Sequence, residues 1–137
     1  MSWENEYKSK LTTAEKAVEI IKSGNRVVIG HACGEPSYLV DAMVANAESY
    51  HDVEIVHMVA MGKAGYAQPG MESHFRHNAL FVGGTTRKAV AEGRGDYTPC
   101  FFYRIPSLFT NGSLPVDVAL VQATPPDENG NMSLGIS

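Results

Sequence analysis

Three short runs of β-branched and apolar residues constrain this chain most: Arg26-Val27-Val28-Ile29-Gly30, Val53-Glu54-Ile55-Val56-His57-Met58-Val59 and Asp117-Val118-Ala119-Leu120-Val121-Gln122-Ala123. Such runs suit strands buried on both faces, as in a parallel sheet. Helical patterns lie between them. Thr12 and Glu15 fit a capping box, Ala14, Ala17, Val18 and Ile21 follow at helical spacing, and Gly24 suits a left-handed helix end. These predict a helix over 13–23. Pro36 fits the first turn of a second helix, whose inner stripe would be Tyr38, Leu39, Ala42, Met43 and Ala47.

Met61 to Asn78 is rich in Gly, His and polar residues and reads mostly as a loop. Ala79 to Val82 reads as a strand, Gly83 to Thr86 as a turn, 85–92 as a helix and Phe101 to Tyr103 as a short strand. The expected fold class is α/β, with an open, mostly parallel sheet and helices on both faces. Residues 1–137 form one domain. After the Thr124-Pro125-Pro126-Asp127 stop, Asn129-Gly130 is a turn signal, and Met132 to Ile136 resembles the start of another strand. Because domains rarely stop inside a strand, a fragment of a longer protein is expected.

The chain has 137 residues, enough to bury roughly two thirds of its unfolded surface. Fifteen acidic residues against 11 Lys and Arg give a net charge of −4. That balance argues against a nucleic-acid partner. A small anionic substrate remains compatible, since local dipoles and single cations bind it on an acidic protein. The two cysteines, Cys33 and Cys100, have no CxxC or Cys/His spacing, so free thiols in a reducing cytoplasm are expected. No apolar leader opens the chain and no run approaches a membrane span, so no membrane partner is expected.

Open α/β sheets bind ligands beyond the carboxyl ends of their strands. Three loops there stand out: His31 to Glu35, His57 to Gly65 and Gly83 to Arg87. In the first, Gly30 and Gly34 permit a tight turn and close approach to a ligand. His31 follows the strand directly. It either points into the crevice and donates to a carboxylate or thioester oxygen, or caps the neighbouring helix or a backbone carbonyl. Glu35 beside a helix start is either a ligand contact or a helix-dipole partner. Cys33 reads as a small buried residue rather than a nucleophile. Gly83 to Arg87 lacks the lysine and spacing of a P-loop, and a Thr-capped helix with an exposed arginine is the simpler reading. His57, His74 and His77 are too loosely spaced for a metal site, and none is expected.

Val28-Ile29-Gly30-His31-Ala32-Cys33-Gly34-Glu35-Pro36, followed by Leu39-Val40-Asp41-Ala42-Met43, resembles the first strand, turn and helix of 4-hydroxybutyrate CoA-transferases. His57-Met58-Val59 with Gly62-Lys63, Thr86-Arg87 with Ala91-Glu92-Gly93, and Pro106-Ser107-Leu108 fit the same pattern. Pro125-Pro126-Asp127-Glu128-Asn129-Gly130 with Ser133-Leu134-Gly135-Ile136-Ser137 is similar to a signature of the wider acetyl-CoA hydrolase/transferase family. The resemblance covers nearly the whole chain in motif order. It implies the first of two similar α/β domains, and an enzyme that moves CoA between a short-chain acyl-CoA (4-hydroxybutyryl, butyryl or acetyl) and a carboxylate. A glutamate would attack the acyl-CoA and carry CoA as a glutamyl thioester. That glutamate lies in the family's second domain, and no glutamate of this chain occupies its motif, so this chain by itself is expected to be inactive. CoA and acyl-CoA enter as substrates, with no permanently bound cofactor, and the full-length protein is expected to be a homo-oligomer, a dimer. Acetyl-CoA hydrolysis, or a catalytically silent domain for assembly or ligand binding, are the competing readings. The expected substrate-binding residues are Gly30, His31, Gly34 and Glu35, with Met58 and Gly62 from the next loop.

Overall fold

The structure, a computed structural model, describes residues 2–136. The three β-branched runs become β1 (Arg26–Ile29), β2 (Val53–His57) and β5 (Val118–Leu120). With β3 (Phe75–Ala79) and β4 (Gly95–Tyr97) they form one sheet in the order β4-β3-β2-β1-β5. Every neighbouring pair is parallel, with Val27 opposite both Ile55 and Val118, and Ile55 opposite His77. The α/β class and parallel sheet expected from the sequence are therefore present.

Strand order also decides where the helices go. From β1 through β4 the chain moves steadily one way, so right-handed crossovers put those connections on one face. On this first face lie α2 (Ala14–Ala17), continued by a 3₁₀ turn over Val18–Ile20, and α3 (Ser37–Ala45). Val27, Ile29, Val53, Ile55 and Phe75 from the sheet pack there against Val18, Val40, Met43, Tyr50 and Tyr66, and Ala89 of α4 (Arg87–Ala91) joins them. The step from β4 to β5 runs the opposite way and places α5 (Ile105–Thr110) on the second face. There Val56, Leu80 and Leu114 form a smaller cluster with Val28, Met58, Ile105, Leu108 and Phe109. The reversal makes the β1/β5 boundary the topological switch point, and ligand crevices open at the carboxyl ends of such boundaries.

Several elements differ from their sequence expectations. The first helix starts one residue later than the capping box implies, with Thr13 accepting from the Lys16 N–H at 3.4 Å. It ends by Ile20 because the Asn25 side chain takes the Lys22 N–H at 2.8 Å and sets a turn instead. On α3 Leu39, Ala42 and Met43 face the core as expected, with Ala47 buried just beyond, but Val40 is buried with them and Tyr38 points to solvent. The third strand is Phe75–Ala79, not Ala79 to Val82. Its first-face residues Phe75, His77 and Ala79 are buried, and Arg76 and Asn78 on the second face find polar partners. Phe101 to Tyr103 pairs with no strand; Phe102–Arg104 is an exposed 3₁₀ turn leading into α5, whose start holds Pro106. The Asp117 to Ala123 run is only three residues of strand, at a sheet edge, with Val121 exposed. Met132 to Ile136 is not a strand: the Thr124 N–H donates to the Ser133 carbonyl at 2.8 Å, and Gly135 turns with φ of 62°. Ser137, the last motif residue, lies outside the described residues.

Two helices were not anticipated, α5 and one at the amino-terminal end. Trp3–Lys10 forms α1, with Glu4 and Glu6 in its first turn, Lys8 and Lys10 in its last, and a Lys10–Glu6 ion pair at 2.7 Å. It buries no residue, so no apolar stripe marks it. Trp3 lies close over Gly130, where a Cβ would stand 2.8 Å from the indole.

Candidate functional site

A cleft of about 280 Å³ opens at the carboxyl ends of β1 and β2, between the second face of the sheet and α5. Val28, Val56, Leu80 and Met58 form its sheet side, Phe102, Tyr103, Ile105 and Phe109 its outer side, and His31 lines it beside the β1 end. The lining is largely apolar, which suits an acyl chain, and His31 is its one imidazole donor. His31 is half-buried, and its side chain makes no capping bond to the short 3₁₀ turn Ala32–Gly34 behind it. His31 thus sits in the lining of the cleft rather than serving as a side-chain helix cap.

The other expected site residues divide by position. Met58 lines the cleft with His31. Gly30, Gly34, Glu35 and Gly62 do not line it; they build the frame behind it. A Cβ on Gly30 would stand 2.9 Å from the Gly34 carbonyl oxygen, so the turn closes only with glycine there. Ala32, inside the turn, holds a left-handed φ of 52°, a conformation that costs an L-residue about 1–2 kcal/mol. The Glu35 side chain is directed to a loop rather than to a helix end. Its buried carboxylate reaches the segment after β2, where Oε2 accepts from the Met61 and Gly62 N–H groups at 3.0 and 2.9 Å.

A buried polar group lies behind this frame. His57 Nδ1 is 2.7 Å from the Tyr66 hydroxyl, and His57 Nε2 is 3.9 Å from Glu35 Oε2. Burial lowers the His57 pKa to about 4, so the ring is neutral and its approach to Glu35 is not an ion pair. Burial, with Glu35 nearby, likewise raises Tyr66 and keeps its hydroxyl protonated. The tautomer follows by inference: Tyr66 donates to Nδ1, and Nε2–H faces the carboxylate, since a lone pair there would be repelled. His77 Nδ1 contacts the Ile55 carbonyl at 3.3 Å, and burial lowers its pKa to about 4 as well.

The remaining candidates lie apart from the cleft. Thr86 precedes α4 without a capping side-chain bond, and Arg87 is exposed. Cys33 is exposed rather than buried, and Cys100 is half-buried; both are free thiols. His74 bonds the Tyr50 carbonyl, and among the described residues no three metal-ligating side chains converge. The outer wall from Phe102 to Phe109 is not anticipated in sequence, where Phe101 to Tyr103 reads as a strand rather than as the lead into a helix.

Over residues 1–137 the chain matches the family described as acetyl-CoA hydrolase/transferase N-terminal domain. The chain belongs to the acetyl-CoA hydrolase/transferase family. Within that family it is 61% identical, over 137 residues, to a 4-hydroxybutyrate coenzyme A transferase of Clostridium kluyveri, covering 100% of this chain and 32% of the relative. A butyryl-CoA:acetate CoA-transferase of Anaerostipes caccae is 31% identical over 138 residues, with 100% and 31% covered. The chain thus spans about a third of the length of these curated relatives. Among solved structures, a 4-hydroxybutyrate CoA-transferase from Porphyromonas gingivalis superposes with a TM-score of 0.78 at 31% identity, over 99% of this chain and 30% of that one. RipA from Yersinia pestis shares the fold, with a TM-score of 0.88 at 24% identity over 98% of this chain and 33% of that one.

Proposed function

We propose that this domain forms one wall of the acyl-CoA site of a CoA-transferase. The whole enzyme would move CoA between a short-chain acyl-CoA (4-hydroxybutyryl, butyryl or acetyl) and a carboxylate. The observation that carries the reading is the apolar cleft with His31 beside the β1 end, in a chain 61% identical to a 4-hydroxybutyrate coenzyme A transferase. The cleft takes the acyl chain and excludes water from it. His31 donates a hydrogen bond to the thioester or carboxylate oxygen, where negative charge grows in the transition state.

The covalent step falls to a glutamate outside this chain. Its carboxylate attacks the thioester carbonyl and expels CoA thiolate, leaving a mixed anhydride. The thiolate then attacks the glutamyl carbonyl of that anhydride, releasing the first acyl group as a carboxylate and forming glutamyl-CoA. An acceptor carboxylate repeats the two steps in reverse and leaves as the new acyl-CoA. The buried carboxylate within this chain does not suit the role: Glu35 is engaged by two backbone N–H groups, and the partly buried Glu54 is ion-paired with Arg26. Residues 1–137 then act as the amino-terminal domain of a longer, homodimeric enzyme with CoA thioesters as substrates and no permanently bound cofactor. Among the described residues no helix is long and apolar enough to cross a membrane. The two free thiols suit a reducing, cytoplasmic setting.

The full-length protein, given butyryl- or acetyl-CoA and a short carboxylate, is expected to exchange CoA and to yield a glutamyl-CoA adduct detectable by mass spectrometry. Absence of exchange overturns the reading. Release of free CoA without any acceptor carboxylate favours hydrolysis, which the family description also includes.

A further inference from the structure

The two turns that frame the cleft are tied together by one buried carboxylate. Glu35 ends the turn that carries His31, and its side chain crosses to the turn that carries Met58. There a single oxygen, Oε2, accepts from both the Met61 and Gly62 N–H groups at 3.0 and 2.9 Å. A second tie runs the same way, from the Ala32 N–H to the Val59 carbonyl at 2.9 Å. Gly62 is fitted to the carboxylate, because a Cβ there would stand 2.2 Å from Glu35 Oε1. The neutral His57 ring, fixed by Tyr66, stands 3.9 Å from the same oxygen.

We propose that Glu35 is a positioning residue for the acyl-CoA reaction, strapping the Met58–Gly62 segment to the His31 turn so that His31 and Met58 meet the acyl group in a fixed relation. The proposal rests on the reading that these two turns face the acyl-CoA. Its physical basis is the choice of group. A buried carboxylate carries a large desolvation penalty, and among the described residues no Lys or Arg pairs with this one; well-packed apolar residues would serve stability alone at least as well. What the carboxylate adds is direction: charge-assisted bonds to main-chain N–H groups are short, strong and fix a loop's course. Catalysis is sensitive to such placement, since a shift of about 1 Å in a positioned group costs on the order of 10²-fold in rate.

Three variants in the full-length enzyme test this, each read by amide hydrogen exchange, urea denaturation and steady-state kinetics. Glu35→Gln keeps the shape and one acceptor, Glu35→Ala removes the strap, and Gly62→Ala pushes the loop off the carboxylate without altering its charge. The expected result is exchange at the Met61 and Gly62 amides faster by about 10-fold or more, with β1 and β2 amides still protected. The kcat for CoA transfer should fall by about 10²-fold in Glu35→Ala and Gly62→Ala, with a smaller change in KM, and Glu35→Gln should lie between them and wild type. Unchanged protection at the two amides overturns the strap. Faster exchange with unchanged kcat overturns its catalytic purpose. Equal loss of protection in β1 and β2 assigns Glu35 to general stability and overturns the proposal too. If the wild-type enzyme moves no CoA while the amides respond as described, the functional reading fails, and the positioning role falls with it.

Discussion

Two imidazoles held neutral inside the sheet give this chain a pH response of predictable sign. Burial lowers His57 and His77 from an ordinary value of 6.5 to about 4. Above the ordinary value neither folded nor unfolded rings carry a proton, and stability is independent of them. As pH falls below it the unfolded chain binds protons first, so stability drops until the folded rings titrate. Between about pH 7 and pH 5 the loss should reach roughly 2 kcal/mol per histidine. Urea denaturation across that interval measures it, and a flat midpoint contradicts the assignment. His31, at the cleft, belongs to a different class of residue. His31→Ala in the full-length enzyme is expected to lower the transfer rate on the order of 10²-fold while leaving the urea midpoint nearly unchanged. An unaltered rate removes His31 from the site.

At the scale of elements, β3 shows how a polar sequence becomes a central strand. Its second-face residues are satisfied by cross-strand partners. The Asn78 amide donates to Glu54 Oε1 at 2.7 Å and accepts from the Thr98 hydroxyl at 2.8 Å. Arg76 pairs with Asp96, and Arg26 with Glu54. A row of polar side chains thus crosses four of the strands on the second face, opposite in character to the apolar cleft. Asn78→Ala leaves a half-buried carboxylate and a hydroxyl each short of a partner, at an expected cost of about 1–3 kcal/mol in denaturation experiments. A change below measurement error refutes the load assigned to this row. The β1 and β2 runs were legible because parallel strands buried on both faces read as continuous apolar stretches. Phe75-Arg76-His77-Asn78-Ala79 was not, because its polar residues count against burial until their partners, some 20 residues away in sequence, are known.

For the whole molecule, the two faces of the sheet are unequally covered. The first face is packed by α2, α3 and the segment around Tyr66. Among the described residues the second is packed by α5, its approach and Leu114, and Phe101, Phe102 and Tyr103 remain 72%, 72% and 73% exposed beside the cleft. Apolar surface concentrated in this way binds apolar probes. The isolated 137-residue chain is expected to enhance the fluorescence of an environment-sensitive apolar dye in its native state. Phe102→Ser should reduce that enhancement at least about twofold without moving the urea midpoint, since an exposed side chain contributes little to packing. Equal fluorescence in the variant places the bound dye elsewhere.

The sequence by itself determined the class of fold and the family. Hydrophobic period and β-branching report locally whether an element is buried on one face or two, and ordered short motifs report descent. It also placed His31 at a strand's carboxyl end, where a parallel sheet presents ligands. Only the tertiary structure decided that Glu35 faces the Met61 and Gly62 amides, 26 and 27 residues away, rather than a ligand or a helix end. It alone joined Phe102 to Phe109 with Val28, Val56 and His31 around one cleft. The reason is that such meetings depend on strand order and on the reversal between β1 and β5, and no local pattern of residues carries that information.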